Sequence, residues 1–329
     1  MSEVGTAGSP LVTIELSPVQ DWSRLAEQVN GLADGTRILV GVTDRPLPRQ
    51  ADQVLAALSL TLAPDGPGHY WIRPTAGNAQ LDLDAMTAMV HRSPFAALAL
   101  EGVLRVTASR SLAVTQAVAV ESYAYSMLLA SAEFAAWREA TPRRGMHMVD
   151  DPVIVDREGE ELRVTLNDPA TRNALSVSMR DGLCEALSIA EWDTSLQHVV
   201  LRGNGPSFCS GGHLDEFGTA QDMARAHITR LRQHVGLAVH RLASRTTAEL
   251  HGNCVGSGIE IPAFASRTRA SADAKFWLPE LEFGLIPGSG GTVSIARRVG
   301  RWRTAYLALT GHHLSVESAI EWGLVDEPL

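Results

Sequence analysis

The chain has 329 residues, enough for two domains, and its 45% hydrophobic and 20% charged content is ordinary globular composition that excludes intrinsic disorder. A net charge of −9, scattered along the chain, excludes a clustered basic face for nucleic acid but not an anionic ligand held by a few local arginines. Cys184, Cys209 and Cys254 show neither metal-ligand spacing nor an even-numbered disulfide framework. No apolar run reaches membrane-spanning length and no signal-peptide pattern opens the chain, so a cytoplasmic protein with no metal and no membrane attachment is expected.

In chain order, residues 1–10 are small and polar and read as a disordered tail. From Leu11 to about Gly102 strand-like and helix-like segments alternate. LVTIEL and RILVGV are β-branched and apolar, DWSRLAEQVNGL between them has helical spacing with Asp21 as N-cap, QADQVLAALSLTL reads as a second helix and HYWIRP as a short strand. Such alternation predicts an α/β layer with a largely parallel sheet. Ser109 to Ala140 reads as mostly helical, so residues 11–142 form one α/β region ending in helices, followed by a linker at 143–150 rich in Pro, Gly and charge. A second unit, 151–329, restarts the alternation. It has strands in VIVDREGEELRVTLND, HVVLRGN and TTAELHG, a helix in SVSMRDGLCEALSIAEWD and a long amphipathic helix over roughly Gln221–Leu242. His227, His234 and His240 lie on that last helix at spacings that make no compact metal site, and solvated or trimer-facing positions are expected for them.

Three segments of the second unit carry the chemistry. FCSGGHLDEF is a strand end, a Gly-Gly turn and an acidic helix opening, where glycines let backbone approach a ligand and leave N–H groups pointing outward. HGNCVGSGIEI is a small-residue turn entering a helix, with Glu260 three residues after Ser257 on the face of those amides. WLPELEFGLIPGSGG places Glu280 just after Pro279, on an irregular, apolar-flanked segment. A carboxylate in such surroundings is costly unless it is used or paired. Cys209, beside the Gly-Gly turn, is read as a buried thiol rather than a nucleophile.

Together these segments resemble the crotonase (enoyl-CoA hydratase/isomerase) superfamily over about residues 151–329. The matching pieces are RVTLNDPATRNALS, VVLRGNGPSFCSGGHLDEF, LHGNCVGSGIEI, FWLPELEFGLIPGSGGT, RWRTAYLALTG and AIEWGLVDE, in family order. The resemblance implies an α/β, crotonase-like stack of ββα units acting on acyl-CoA thioesters in lipid or aromatic-acid metabolism. It implies no cofactor beyond the coenzyme A of the substrate, no nucleic-acid partner, and assembly as a homo-oligomer, a trimer or hexamer. By position, the amides of Gly212 and Ser257 would form an oxyanion hole. Glu260 would activate the attacking water and Glu280 deliver the proton to the α-carbon. Arg172 would lie near the CoA, as would the Ser210-Gly211-Gly212-His213-Leu214 turn.

The sequence departs from the family where His213 replaces the usual acid and where it stops at DEPL, short of the helical tail that relatives carry. ESYAYSMLLASAEFAAWREATPRR resembles that missing tail, and RSPFAALALEGVLR resembles the strand before the second oxyanion turn. The first unit is accordingly read as a degenerate crotonase-like repeat whose terminal helices serve the intact second unit. The leading expectation is a lyase that hydrates 2-enoyl-CoA. Double-bond isomerisation and C–C hydrolysis on the same thioester site are alternatives, and a non-catalytic acyl-CoA-binding subunit is an alternative of another class. Residues Glu216 to Ala226 are expected to help set the acyl group.

Overall fold

The computed structural model describes residues 9–17, 19–145 and 149–329. All but Ser9 and Pro10 of the expected tail, and the centre of the expected linker, lie outside them. The first half runs β1 (Leu11–Glu15), α1 (Trp22–Leu32), β2 (Ile38–Val42), α2 (Asp52–Ala57), β3 (Leu60–Leu62) and β4 (Trp71–Ile72). It ends in four helices: α3 (Ala79–Arg92), α4 (Pro94–Thr107), α5 (Val114–Leu129) and α6 (Ala132–Ala140).

The second half runs β5 (Val153–Glu158), β6 (Glu161–Leu166), α7 (Val177–Trp192), β7 (His198–Gly203), α8 (Met223–Arg232), α9 (Val235–Arg241), β8 (Thr246–Leu250) and β9 (Asn253–Val255). It continues with α10 (Ser257–Glu260), β10 (Arg267–Ala270), β11 (Lys275–Trp277), α11 (Gly291–Val299), α12 (Arg301–Thr310), β12 (Leu314–Ser315), α13 (Val316–Trp322) and β13 (Glu327–Pro328).

Strands β1–β4 form a parallel sheet in sequence order, with Leu11 opposite Ile38 and Val40 opposite Leu60. ILVGV is apolar without alternation, and its first four residues are buried, as befits a strand covered on both faces. The second half builds a six-stranded sheet in the order β13-β10-β8-β7-β6-β5, parallel except for the β5/β6 hairpin. A three-stranded sheet, β12-β11-β9, stands beside it.

Three sequence expectations are corrected. RSPFAALALEGVLR is helix α4, not a strand. Pro94 occupies its first turn, where a missing N–H costs nothing, and Glu133 accepts from the N–H groups of Phe95 (2.7 Å) and Ala96 (3.0 Å). The helix expected across QADQVLAALSLTL stops at Ala57, and its LTL end becomes β3 against β2. The long helix over Gln221–Leu242 is two helices: the His234 ring accepts the Leu237 N–H (3.1 Å) and starts α9 anew. His234 and His227 are buried within the chain, neither solvated nor surface-facing, His227 against Ser122 Oγ (2.9 Å), whereas His240 is exposed.

One apolar core runs through both halves, from Leu11 and Ile38 to Val293 and Val325, and a second cluster fills the space between the first sheet and α1/α2. The halves are also stitched by polar contacts. Arg301 donates to Leu58 O (2.9 Å), the Trp302 indole to Leu55 O (3.1 Å), and the Tyr306 hydroxyl to the buried Asp82 (3.1 Å). Removing residues 1–142 would uncover this shared core, so the remainder is expected to aggregate and to lose activity. A monomeric or stably assembled remainder in size-exclusion chromatography, with full activity, would refute that account.

Candidate active site

A cavity of about 650 Å³ opens between the two halves. Its walls include Gly212, Ser257, Glu260 and Glu280 from the second half, and Tyr125 and Leu129 from α5 of the first. The stretch expected to set the acyl group lines it as well, through Glu216–Asp222, Arg225 and Ala226.

The amide positions follow from two turns. Leu175 bridges to the Gly-Gly turn, its N–H bonding Gly211 O (2.7 Å) and its carbonyl taking the His213 N–H (3.1 Å). The Gly212 N–H is left without an acceptor among the described residues. A Cβ on Gly212 would stand 2.6 Å from the Phe217 ring and would displace it. At the second turn, the Ser257 N–H opens α10 and likewise finds no acceptor among the described residues. The structure thus brings two unspent amide donors to one cavity.

The carboxylates face each other across Gly256. A Cβ on Gly256 would lie 2.3 Å from Glu280 Oε1 and 3.7 Å from Glu260 Oε1, and its φ of +48° also disfavours any side chain. Glu260 Oε2 accepts from the N–H groups of Ser289 and Gly291, each at 2.8 Å. Glu280 opens a 3₁₀ turn, Glu280–Phe283, and its Oε2 is buried without a partner. Burial pushes the Glu280 carboxyl up to about 8. Burial, then the neighbouring Glu280 and Glu121, raise Glu260 well above the usual range, and the two amides oppose this. Two such carboxyls do not both ionise near neutral pH. The two amides favour charge on Glu260 and the bare oxygen favours the proton on Glu280, against the upward push that burial and the charge of Glu280 exert on Glu260.

A third carboxylate was not anticipated. Glu121, in α5, is 1% exposed and accepts from Gly290 N (2.7 Å), Thr292 N (3.0 Å) and the Thr292 hydroxyl (2.7 Å). Burial raises it to about 7. Its signal in the sequence was a single acid inside the apolar run of α5, a position too costly for an unpaired carboxylate. From α6, Trp137 packs at 4.9 Å on Phe283 and 6.3 Å on Phe217, the ring that backs Gly212. Arg138 donates to Leu214 O (2.7 Å), and Arg143 to Asp215 O (2.8 Å) and Phe217 O (2.9 Å). First-half helices therefore brace the wall that carries one free amide.

The other anticipated ligand-binding residues do not line this cavity. Arg172 is exposed, in a left-handed turn (φ +58°) whose carbonyl takes the Ser210 N–H (2.9 Å). The Ser210 hydroxyl bonds Thr171 O (3.0 Å), Gly211 and His213 bridge to Leu175, and Leu214 accepts from Arg138. Cys209 is buried, its thiol pushed up to about 11 by desolvation, as befits a packing residue. No cluster of acidic, histidine or cysteine side chains that could hold a metal occurs among the described residues. None of their helices is long and apolar enough to cross a membrane.

The mixed α/β sheet stack is that of the crotonase fold. The chain belongs to the enoyl-CoA hydratase/isomerase family, whose model matches residues 158–329. Among relatives, 2,3-dehydroadipyl-CoA hydratase of Escherichia coli is 32% identical over 175 residues, covering 53% of this chain and 68% of that one. The 1,2-epoxyphenylacetyl-CoA isomerase of the same organism is 31% identical over 169 residues, covering 50% and 64%, so the chain spans just under two thirds of that relative. A solved enoyl-CoA hydratase from Thermoplasma volcanium superposes with a TM-score of 0.50 at 30% identity, covering 54% of this chain and 71% of that one. One from Mycobacterium smegmatis gives 0.51 at 30%, covering 55% and 70%. Glu121 and Tyr125 precede the segment matched by the family model.

Two measurements test the electrostatics. Because Glu280 binds its proton more tightly folded than unfolded, the native state holds the extra proton between pH 4.5 and about 8. Stability must then fall as pH rises across that window. Glu280→Gln should flatten this part of a plot of Tm against pH, and an unchanged slope would show that Glu280 titrates normally. Gly256→Ala should displace Glu280 and lower kcat by about 10²-fold, the effect of a misplacement near 1 Å. Wild-type turnover in that variant would show that the close approach is dispensable.

Proposed function

We propose that the chain is an enoyl-CoA hydratase, adding water across the 2,3 double bond of an acyl-CoA thioester or running the reverse elimination. The observation that carries this reading is the pairing of two buried, facing carboxylates in unlike environments with two unspent amides in one cavity.

The thioester oxygen would lie between the N–H groups of Gly212 and Ser257. As a nucleophile reaches the β-carbon, charge collects on that oxygen. One preorganised donor there is worth about 3–4 kcal/mol in the transition state. Ionised Glu260 would take a proton from the attacking water, delivering hydroxide to the β-carbon. Protonated Glu280 would give its proton to the α-carbon. Water is thereby added in full, and the pair is reset by proton exchange, with no cofactor beyond the CoA of the substrate. Isomerisation needs one well-placed base, so the retention of two acids favours hydration.

We also propose that the terminal helices of residues 11–142 serve the intact half, the role expected of a degenerate crotonase-like repeat; the support for that role is the Glu121, Tyr125 and Trp137 contacts with the cavity and its wall.

Ultraviolet loss of the enoyl-thioester chromophore, followed over short, long and aromatic 2-enoyl-CoAs, tests the function directly. Rapid loss on at least one substrate is expected, reduced about 10²–10⁴-fold by Glu280→Gln and by Glu260→Gln. Conversion of 3-enoyl-CoA without loss of 2-enoyl-CoA would replace hydration by isomerisation. Binding without any turnover would leave an acyl-CoA-binding subunit.

A further inference from the structure

Arg230, on α8, sits in the cavity wall and is half-buried. Its guanidinium lies over the Tyr125 ring at 4.6 Å. One nitrogen, Nη1, makes every protein hydrogen bond found for the side chain, to Ser122 Oγ (2.7 Å), Ser126 Oγ (3.0 Å) and Ser122 O (3.3 Å). The remaining guanidinium N–H groups have no acceptor among the described residues, and they are not sealed from the cavity.

Two other cations line the cavity: Arg180 spends Nε and Nη2 on Asp181 Oδ1, which holds it on its own helix α7, and Arg225 is exposed and lacks the aromatic and serine contacts that fix Arg230. Glu216 accepts the Val177 N–H, and Asp222 caps α8 through the N–H groups of Ala224 and Arg225. Glu121 spends both oxygens on Gly290 and Thr292, so it attracts the Arg230 charge without taking up its free donors. A guanidinium that keeps donors free inside a partly desolvated cavity is matched best by a planar, two-oxygen anion.

Its place in the cavity decides which part of a substrate it meets. A Cβ on Gly288 would stand 2.4 Å from the Tyr125 ring, and the next residue, Ser289, holds Glu260. Arg230 is thus one aromatic ring away from the catalytic turn. The CoA phosphates lie at the far end of the pantetheine arm from the thioester.

We infer that Arg230 is the specificity-determining residue of the acyl cavity and that the preferred acyl chain ends in a carboxylate. This rests on the thioester site proposed above, so the test uses saturated ligands that cannot be hydrated.

Calorimetric affinities would be measured for glutaryl-CoA against pentanoyl-CoA, suberyl-CoA against octanoyl-CoA, and CoA alone. The wild-type chain should bind at least one carboxylate-ended ligand about tenfold or more tightly than its neutral partner, the range of a charge-assisted contact. Arg230→Met should bring the two members of that pair together, and Arg230→Lys should keep part of the preference. Equal wild-type affinities within both pairs would overturn the inference without any reliance on a variant's folding. A loss in Arg230→Met that is equal for all ligands, CoA included, would overturn it in favour of a phosphate contact. Failure of hydration alone, in the chromophore assay, leaves these affinities unaffected and so bears on the function, not on this residue.

Discussion

Four consecutive backbone N–H groups, from Ser289 to Thr292, are shared between two buried carboxylates from opposite halves of the chain. Ser289 and Gly291 serve Glu260, while Gly290 and Thr292 serve Glu121. The groups lie at the start of α11, where unsatisfied amides and the helix dipole favour negative charge. Neither acid would be tolerable at such depth without them, because desolvation of a lone carboxylate costs several kcal/mol. The alternation also imposes a geometry. Successive amides of the turn point to opposite sides, so one side is taken by the candidate catalytic acid and the other by the helix that roofs the cavity.

Much else follows from that turn. Glu121 ties α5 to it, which sets Tyr125 and Leu129 in the cavity wall and brings Ser122 and Ser126 to Arg230. The Ser294 hydroxyl donates to Glu260 O (2.7 Å), so the short helix α10, with the free Ser257 amide at its start, is held to the same element. Gly256 and Gly291 leave room for the two carboxylates. A Cβ on Gly291 would stand 2.7 Å from Glu260 Cγ, as one on Gly256 would meet Glu280. The site is thus a set of backbone donors with acids fitted into it, and its rigidity comes from main chain rather than from long side chains.

Reading from sequence succeeded where the signal is local. The Gly-Gly turn, the glycine-led helix with Glu260 on its amide face, and Glu280 just after Pro279 are contiguous patterns. The turn geometry that a short segment can adopt dictates each of them. It failed in the first half for a physical reason. Ala- and Leu-rich segments such as PFAALALEGVLR satisfy both a buried strand and a helix by composition. Pro94 was the one local mark of a helix start, and the Glu133 cap that joins it at the first turn of α4 lies 37 residues away on another helix. The break between α8 and α9 hinges on one imidazole turning back on its own backbone, which a residue type does not announce.

By itself, then, the sequence determined the family and the α/β class of both halves, and it singled out four residues that line one cavity, because these depend on spacing along one chain. The tertiary structure decided how the halves cooperate. That Glu121 shares a turn with Glu260, that Trp137 backs the Gly212 wall through Phe217, and that Arg230 keeps donors free in the cavity are contacts between residues roughly 80 to 170 positions apart or between separate helices. Burial and pairing at such separations are properties of the packed core, and no local pattern encodes them.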